Sequence, residues 1–228
     1  ISQAMSHCVA DFGVNGADYP KRCHIAWVTR LDARTLEVDT PSGIAQVVLT
    51  RRGCAGLFVV GHGAGGGIDA LDIVAVSSAL AGAGWTVARV VQPYRVKGRR
   101  APEAPPRLDA AWISVLSALA KERNGRLVVS GRSSGARVAV RTATAVGADA
   151  VVALAFPLHP PGKPEKSRAD ELAALTVPSL VVQGARDAFG TATELPLGTN
   201  VIEVPGDHSL KQDTAAVVAA VTGWLASK

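Results

Sequence analysis

Short, almost continuously apolar runs alternate with segments of helical periodicity along most of this 228-residue chain. The apolar runs have the composition of strands that are buried on both faces, and they are GLFVVG, TVARVVQPY, GRLVVSG, ADAVVALAFP, PSLVVQG and NVIEVPG. Between them, IDALDIVAVSSALAGAG and RLDAAWISVLSALAKE carry apolar residues at helical spacing. Strands that alternate with helices build a parallel sheet with helices on both faces. The sequence therefore predicts an α/β protein with a mostly parallel, doubly wound sheet.

Three further β segments precede this alternation. HIAWVTR, RTLEVDT and GIAQVVLTRR lie within residues 24–52 and are separated by turn residues, which predicts an antiparallel opening to the sheet. Residues 1–4 stand before the only methionine, Met5, and we expect them to be the remnant of an expression tag. Because no linker or repeat interrupts the pattern, residues 5–228 are expected to form one domain. The segment from Phe156 to about Arg168 is too short for a helical cap, so little or no cap is expected.

Charge and apolar patterning exclude two classes of partner. Lysine and arginine number 24 against 19 acidic residues, a net charge of +5, and no basic helix or tail accompanies this modest excess. We therefore expect no nucleic-acid partner. No apolar run approaches the roughly 18 residues of a membrane span, so no span is expected. The oligomeric state is left open.

The cysteines bear on compartment and metal binding. Cys8, Cys23 and Cys54 are too few and too irregularly spaced for a disulfide framework, which predicts a reducing, cytoplasmic location. The pairs His7-Cys8 and Cys23-His24 lack the spacing of zinc ligands. We expect no metal site.

The stretch VVSGRSSGARVAV, residues 128–140, contains the motif that indicates chemistry. An apolar strand stops at Gly131-Arg132-Ser133-Ser134-Gly135 and a segment of helical spacing follows. This is the G-x-S-x-G pattern, in which the glycines permit a cramped strand-to-helix turn that exposes the serine hydroxyl. Ser133 is the candidate nucleophile.

A serine nucleophile needs a base, an acid that orients the base, and donors for an oxyanion. His208 follows the strand NVIEVPG and Asp187 follows SLVVQG, and the carboxyl ends of parallel strands share one edge of a sheet. The chain order Ser133, Asp187, His208 is that of the α/β-hydrolase triad. Asp207 is the alternative acid. The backbone N–H of Ser134 would supply one oxyanion donor.

The second oxyanion donor is expected from the glycine-rich loop VVGHGAGGG, residues 59–67, which follows an early strand. Its closely spaced glycines let the backbone bend so that an amide faces the nucleophile. Ala64 is the candidate donor, with Gly63 and Gly65 as alternatives.

The segments GHGAGGG, SGRSSGAR, FPLHPPGKPE, VQGARDAFG and GDHSL together resemble those of α/β-hydrolase-fold proteins of the dienelactone-hydrolase-like kind. More narrowly, they resemble the small lidless branch that includes testis-expressed protein 30 and subunit 3 of the NSL acetyltransferase complex. The resemblance spans about residue 40 to the end. It implies the α/β-hydrolase fold, a triad at Ser133, Asp187 and His208, and an oxyanion hole in the HGAG loop. Dienelactone hydrolases carry cysteine at the nucleophile position, so cycloisomerised lactones are not expected as substrates.

Three further residues are candidates for contact with substrate. His62 is expected to brace the oxyanion loop and His159 to line or cap the proline-rich loop. Arg132, together with the basic loop at residues 95–100, would place positive charge near the pocket and favour an anionic group on the substrate. The alternative for the basic loop is an ordinary solvated surface.

These residues predict a serine hydrolase that cleaves an ester or thioester of a small or partly enclosed acyl group. The acyl-enzyme chemistry is complete with side chains and backbone amides, so no cofactor is expected. Two alternatives remain. An acyltransferase would use the same nucleophile with an alcohol or amine as acceptor, and a catalytically silent interaction module would keep the fold, as the eukaryotic relatives of the lidless branch suggest.

Overall fold

The structure is a computed structural model that describes residues 32–51 and 53–228. The strands of the described part are β1 Asp32–Thr40, β2 Gly43–Arg51, β3 Gly56–Gly61, β4 Thr86–Val91, β5 Arg126–Arg132, β6 Ala150–Leu154, β7 Ser179–Gly184 and β8 Val201–Val204. The α-helices there are α1 Leu71–Gly82, α2 Pro93–Val96, α3 Pro105–Ala118, α4 Ser134–Thr142, α5 Ala169–Ala173 and α6 Thr214–Ala226. Short 3₁₀ helices lie at Ala120–Glu122, Pro164–Lys166 and Ala192–Glu194.

All eight strands join one sheet in the order β1-β2-β4-β3-β5-β6-β7-β8. The pairs β1–β2 and β2–β4 are antiparallel, and every pair from β4–β3 to β7–β8 is parallel. The predicted mostly parallel sheet with an antiparallel opening is confirmed. The carboxyl ends of β3, β5, β7 and β8 therefore lie along one edge, where their loops meet.

Helices cover both faces of the sheet. In β3, Leu57 and Val59 pack into one apolar cluster with residues of α3 and α4, including Trp112. Phe58 and Val60 point the other way and pack with residues of α1 and α6. Successive side chains of a strand alternate between its faces, so a continuously apolar strand such as β3 requires a core on each side.

The structure differs from the predicted elements mainly at prolines. The run TVARVVQPY was predicted to be a strand throughout, but β4 ends at Val91 and Pro93 begins the short helix α2. Helix α3 begins at Pro105 rather than at Arg107. Proline suits the first turn of a helix because its missing N–H has no partner there and its φ is already helical.

The segment between β6 and β7 contains no cap domain in the described chain. It forms only the 3₁₀ turn Pro164–Lys166 and the five-residue helix α5. The expected lack of a cap is confirmed. None of the described helices is both long and apolar enough to cross a membrane.

Several predictions fall on residues outside the described part. They are the tag remnant at 1–4, the strand at 24–30 and the His-Cys pairs at 7–8 and 23–24. Cys54, which the structure does describe, is disulfide-bonded.

Candidate active site

Ser133 occupies a sharp turn between β5 and α4. Its φ of 54° and ψ of −115° lie outside the regions that a serine ordinarily adopts. The Ser133 N–H donates to the Leu154 carbonyl oxygen of β6 at 2.9 Å, which ties the turn to the neighbouring strand. A Cβ on Gly131 would overlap the carbonyl group of Gly135, so this turn requires glycine there. Strain of this kind persists only where the surrounding structure enforces it.

Ser133, His208 and Asp187 form a continuous chain of hydrogen bonds. The Nε2 atom of His208 lies 2.8 Å from Ser133 Oγ, and its Nδ1 atom lies 2.8 Å from Asp187 Oδ2 and 3.0 Å from Oδ1. An ionised carboxylate can only accept, so Nδ1 carries the proton and Nε2 is left to accept from the serine hydroxyl. The structure thus brings together the three residues that the sequence singled out from different strand ends.

Asp187 is held by neighbours that sequence reasoning missed. Its side chain is buried, and Gln183 Nε2 donates to Oδ2 at 3.0 Å while the Phe189 N–H donates to Oδ1 at 2.8 Å. The Phe189 ring also stacks on the His208 imidazole, with ring centroids 4.1 Å apart. Gln183 had a sequence signal, because it is a polar residue inside the apolar strand SLVVQG.

Asp207 makes a different set of contacts. It is exposed, and its Oδ1 accepts from the Ser209 N–H at 2.8 Å and from Ser209 Oγ at 2.5 Å. These bonds lower the pKa of Asp207. Its carboxylate is thus engaged with Ser209, whereas Asp187 is bonded to the imidazole.

The glycine-rich loop after β3 passes beside the nucleophile. A Cβ on Gly63 would lie 3.4 Å from Ser133 Cβ, which locates the loop against the turn. Tyr94 Oη donates to the Ala64 carbonyl oxygen at 2.8 Å and so fixes the peptide next to the candidate donor. Burial raises the pKa of Tyr94 to about 12. Ser134 is the first residue of α4, where an N–H has no acceptor within the helix and the helix dipole favours negative charge.

His62 lies under this loop rather than in an open pocket. It is 2% exposed, and the Gln92 N–H donates to its Nε2 at 3.1 Å. Nδ1 therefore carries the proton and donates to the Gly63 carbonyl oxygen at 2.8 Å. Burial lowers the pKa of His62. Both ring nitrogens have backbone partners, so the imidazole braces the loop and has no nitrogen left for a substrate.

His159 joins the proline-rich loop to the 3₁₀ helix Ala192–Glu194. Its Nδ1 lies 3.0 Å from the Pro160 carbonyl oxygen and its Nε2 lies 3.2 Å from Glu194 Oε1. The bond to Pro160 and the contact with Glu194 raise the pKa of His159. These contacts fit the expected place of His159 at the proline-rich loop.

The basic residues divide between internal contacts and solvent. Arg132 Nη2 donates to the His208 carbonyl oxygen at 2.9 Å, so this guanidinium is engaged with the loop that carries the histidine. In the basic loop, Lys97 Nζ donates to the Ser42 carbonyl oxygen at 2.7 Å, and Arg95 Nη1 donates to the Arg99 carbonyl oxygen at 3.1 Å. The Lys97 bond holds the loop against the β1–β2 hairpin, and the Arg95 bond lies within the loop.

Comparison with known proteins gives the context for this geometry. The sequence profile of the alpha/beta hydrolase domain family matches residues 55–218. A serine hydrolase without a lid from Xanthomonas campestris is structurally similar, with a TM-score of 0.66 and 20% identity over 84% of this chain and 94% of that chain. No curated protein sequence matches this chain at a significant level.

Two esterases have similar structures. Est1E from Butyrivibrio proteoclasticus gives a TM-score of 0.65 with 17% identity over 85% of this chain and 98% of that chain. The esterase Pf2001 from Pyrococcus furiosus gives a TM-score of 0.65 with 15% identity over 91% of this chain and 93% of that chain. At these identities the likeness concerns the fold, and it confirms the predicted fold class.

Proposed function

The chain belongs to the alpha/beta hydrolase domain family, and we propose from that premise that it is a serine hydrolase that cleaves an ester or a thioester. One observation carries the proposal. Asp187, His208 and Ser133 are hydrogen-bonded in series, with 2.8 Å from His208 to each partner. A serine with this support is an activated nucleophile, whereas an isolated serine hydroxyl is a weak one.

In the proposed reaction, Ser133 Oγ attacks the acyl carbon and His208 Nε2 takes the hydroxyl proton. Asp187 stabilises the imidazolium that forms and keeps the ring in the required orientation. The tetrahedral intermediate collapses when His208 returns the proton to the leaving alcohol or thiol, which leaves an acyl-enzyme on Ser133. Water, deprotonated by the same imidazole, then releases the acid.

Two backbone N–H groups would stabilise the oxyanion. Ser134 offers its N–H at the start of α4, and we propose that the glycine-rich loop offers the second at Ala64. Tyr94 holds the peptide that follows this N–H, through the Ala64 carbonyl oxygen. Each such donor is worth roughly 10²- to 10³-fold in rate.

The segment between β6 and β7 is short, so we propose an open site that accepts a small or partly enclosed acyl group. We also propose that the chain belongs to the small lidless branch that its motifs resemble. Est1E has been solved with ferulic acid bound. Aromatic acyl esters therefore join short-chain p-nitrophenyl esters and acyl thioesters in the substrate panel.

The first test is stoichiometric labelling with a fluorophosphonate, followed by mass mapping of the labelled peptide. We expect one adduct on Ser133, none in Ser133→Ala, and wild-type labelling in Ser78→Ala, a matched change on the exposed face of α1. A folded wild-type protein that takes no label would refute the proposal and favour the silent interaction module.

The acid is tested with a pair of identical substitutions. Asp187→Asn should reduce ester turnover by roughly 10³- to 10⁴-fold, because an asparagine favours the wrong imidazole tautomer. Asp207→Asn should leave turnover near the wild-type value, since Asp207 bonds Ser209. The reverse pattern would transfer the role to Asp207.

Hydrolysis and acyl transfer are distinguished by the fate of the acyl group. With an added alcohol or amine, a hydrolase releases mainly the free acid, and an acyltransferase releases mainly the new ester or amide. A cytoplasmic location is part of the proposal because cysteines are few and irregularly spaced. Thiol titration of protein purified without reductant tests that point.

A further inference from the structure

We propose that Asp72 is a positioning residue that acts through Arg132 to fix the loop that carries His208. The inference rests on the proposed function, since it explains how the base of that reaction is held in place. Asp72 and Arg132 do not touch the reacting atoms. They connect the helix after the oxyanion loop, the residue before the nucleophile and the backbone of the base.

The connection consists of two contacts. Arg132 Nη2 donates to the His208 carbonyl oxygen at 2.9 Å. On its other side, Arg132 Nε lies 3.3 Å from Asp72 Oδ2. One guanidinium therefore spans the distance between a carboxylate on α1 and the main chain of the histidine loop, which suits the rigid, forked donor set of arginine.

Burial makes this pair interdependent. Asp72 is 0% exposed, and Arg132 is its one ion-pair partner within the described part of the chain. Burial raises the pKa of Asp72, and the positive charge of Arg132 opposes that rise. The Arg132 side chain is itself only 16% exposed. Removing either partner leaves the other charge poorly compensated in a site of low dielectric.

The positions of Asp72 and Arg132 in the chain show which segments this ion pair holds together. Asp72 is in the first turn of α1, directly after the glycine-rich loop, and Arg132 is the last residue of β5. A Cβ on Gly63 would lie 3.1 Å from Arg132 Nη1, so the guanidinium also packs against the oxyanion loop. His208 follows β8 on a loop that no strand pairing fixes. The pair therefore sets the histidine loop relative to the nucleophile and the oxyanion loop.

The test uses Asp72→Asn, Arg132→Met and the double variant, with Asp69→Asn as the matched control. Asp69 lies three residues before Asp72 and its side chain is 89% exposed. Within residues 32–51 and 53–228, its one ion-pair contact is with Arg89 at 3.5 Å. We expect kcat to fall by about tenfold in Asp72→Asn with KM unchanged, since a misplacement of about 1 Å costs roughly 10²-fold. Asp69→Asn should retain the wild-type kcat. A raised KM with an unchanged kcat would mean substrate binding and would overturn the inference.

The double variant tests whether Asp72 acts through Arg132. If it does, removing Asp72 from a protein that already lacks Arg132 changes little, so the double variant has the kcat of Arg132→Met alone. If the two losses multiply, Asp72 acts independently and the inference is wrong. Arg132→Lys should retain part of the activity, because a single ammonium can reach one of the two partners but not both.

A second readout separates this inference from the proposed function. The proton between His208 Nδ1 and Asp187, which are 2.8 Å apart, should give a downfield NMR resonance, and its detection needs no substrate. We expect it in wild type and Asp69→Asn, and expect it broadened or lost in Asp72→Asn and Arg132→Met, whose folding is checked by circular dichroism. A resonance that persists unchanged in both of these variants overturns the inference. Failure of wild type to label with a fluorophosphonate refutes only the proposed function.

Discussion

Replacing Gly135 by alanine should move the two halves of the proposed oxyanion hole apart. Gly135 is the second residue of α4, and a Cβ there would lie 2.7 Å from the His62 carbonyl oxygen and 2.8 Å from the Gly61 carbonyl carbon and oxygen. These are backbone atoms at the end of β3, so no side-chain rotation relieves the overlap. The helix start and the oxyanion loop must separate instead.

The size of the effect follows from those distances. Ordinary van der Waals contact begins at 3.4 Å, so the His62 carbonyl oxygen must retreat by about 0.7 Å. At about 10²-fold per ångström of misplacement, reactivity should fall roughly 10- to 30-fold. Overpacking costs about 1–3 kcal/mol, and alanine returns about 1 kcal/mol relative to glycine inside a helix. The net loss of roughly 0–2 kcal/mol corresponds to a Tm lower by a few degrees.

The assay is the second-order rate of fluorophosphonate labelling, with Tm measured on the same samples. Gly65→Ala is the matched control, because Gly65 lies in the oxyanion loop, its φ is not positive, and a Cβ there meets nothing within 4 Å. We expect Gly65→Ala to label at the wild-type rate. If Gly135→Ala also labels at that rate with an unchanged Tm, the close approach of α4 to the loop does not govern the oxyanion site.

Two further predictions concern the support of the oxyanion loop. Tyr94→Phe removes the 2.8 Å bond to the Ala64 carbonyl oxygen, so the free energy of unfolding should fall by about 1 kcal/mol and the labelling rate by up to about tenfold, measured by urea denaturation and fluorophosphonate kinetics. His62 has a pKa lowered by burial, so the unfolded chain binds its proton first as the pH falls below the ordinary value of 6.5. The stability that neutral His62 contributes is therefore present above pH 6.5 and lost as the pH falls towards the folded-state pKa, and His62→Gln should flatten this part of the pH–stability curve.

The predictions for Tyr94→Phe and His62→Gln can each be contradicted by a specific result. For Tyr94, an unchanged labelling rate would mean that the Ala64 peptide is held without the phenol. For His62, the wild type and His62→Gln are compared above and below pH 6.5, so other titrating groups contribute equally to both. Equal loss of stability on acidification in the two proteins would show that protonation of His62 does not strain the fold.

The three residues of the proposed triad could be predicted from the sequence, because a glycine motif and the order of the strands determine their positions. Ser133 was predicted by the glycines around it, and Asp187 and His208 by their places after apolar strands. The parallel order of β5, β7 and β8 then brings their carboxyl ends to one edge. The sequence pattern did not predict the helix that begins at Pro93, and it started the helix at Pro105 two residues too late. Proline is compatible with both a strand end and a first helical turn.

The residues that support the proposed triad and the oxyanion loop could not be assigned from the sequence. Gln183, Phe189 and Tyr94 act through hydrogen bonds to partners that are 2 to 30 positions away, and no periodicity encodes such pairs. The contacts of His62 and Arg132 were not predictable for the same reason, although the expected bracing role of His62 agrees with the structure. Both were candidates for contact with substrate, and in the structure their nitrogens bond to the main chain of neighbouring loops.

Loops at the carboxyl edge of a parallel sheet lack the ladder hydrogen bonds that fix a strand, so buried polar side chains must fix them instead. Gln183 holds the turn at Asp187 from inside β7. Asp72, inside the apolar start of α1, contacts Arg132, whose Nη2 donates to the His208 carbonyl oxygen. Each is a polar residue within an otherwise apolar run, where burial without a partner would be costly. A polar residue in such a run, close to a strand end that carries a candidate reactive group, is therefore a specific sequence signal for a positioning role. The double variant of Asp72 and Arg132 tests this rule on the His208 loop, which no strand pairing holds in place.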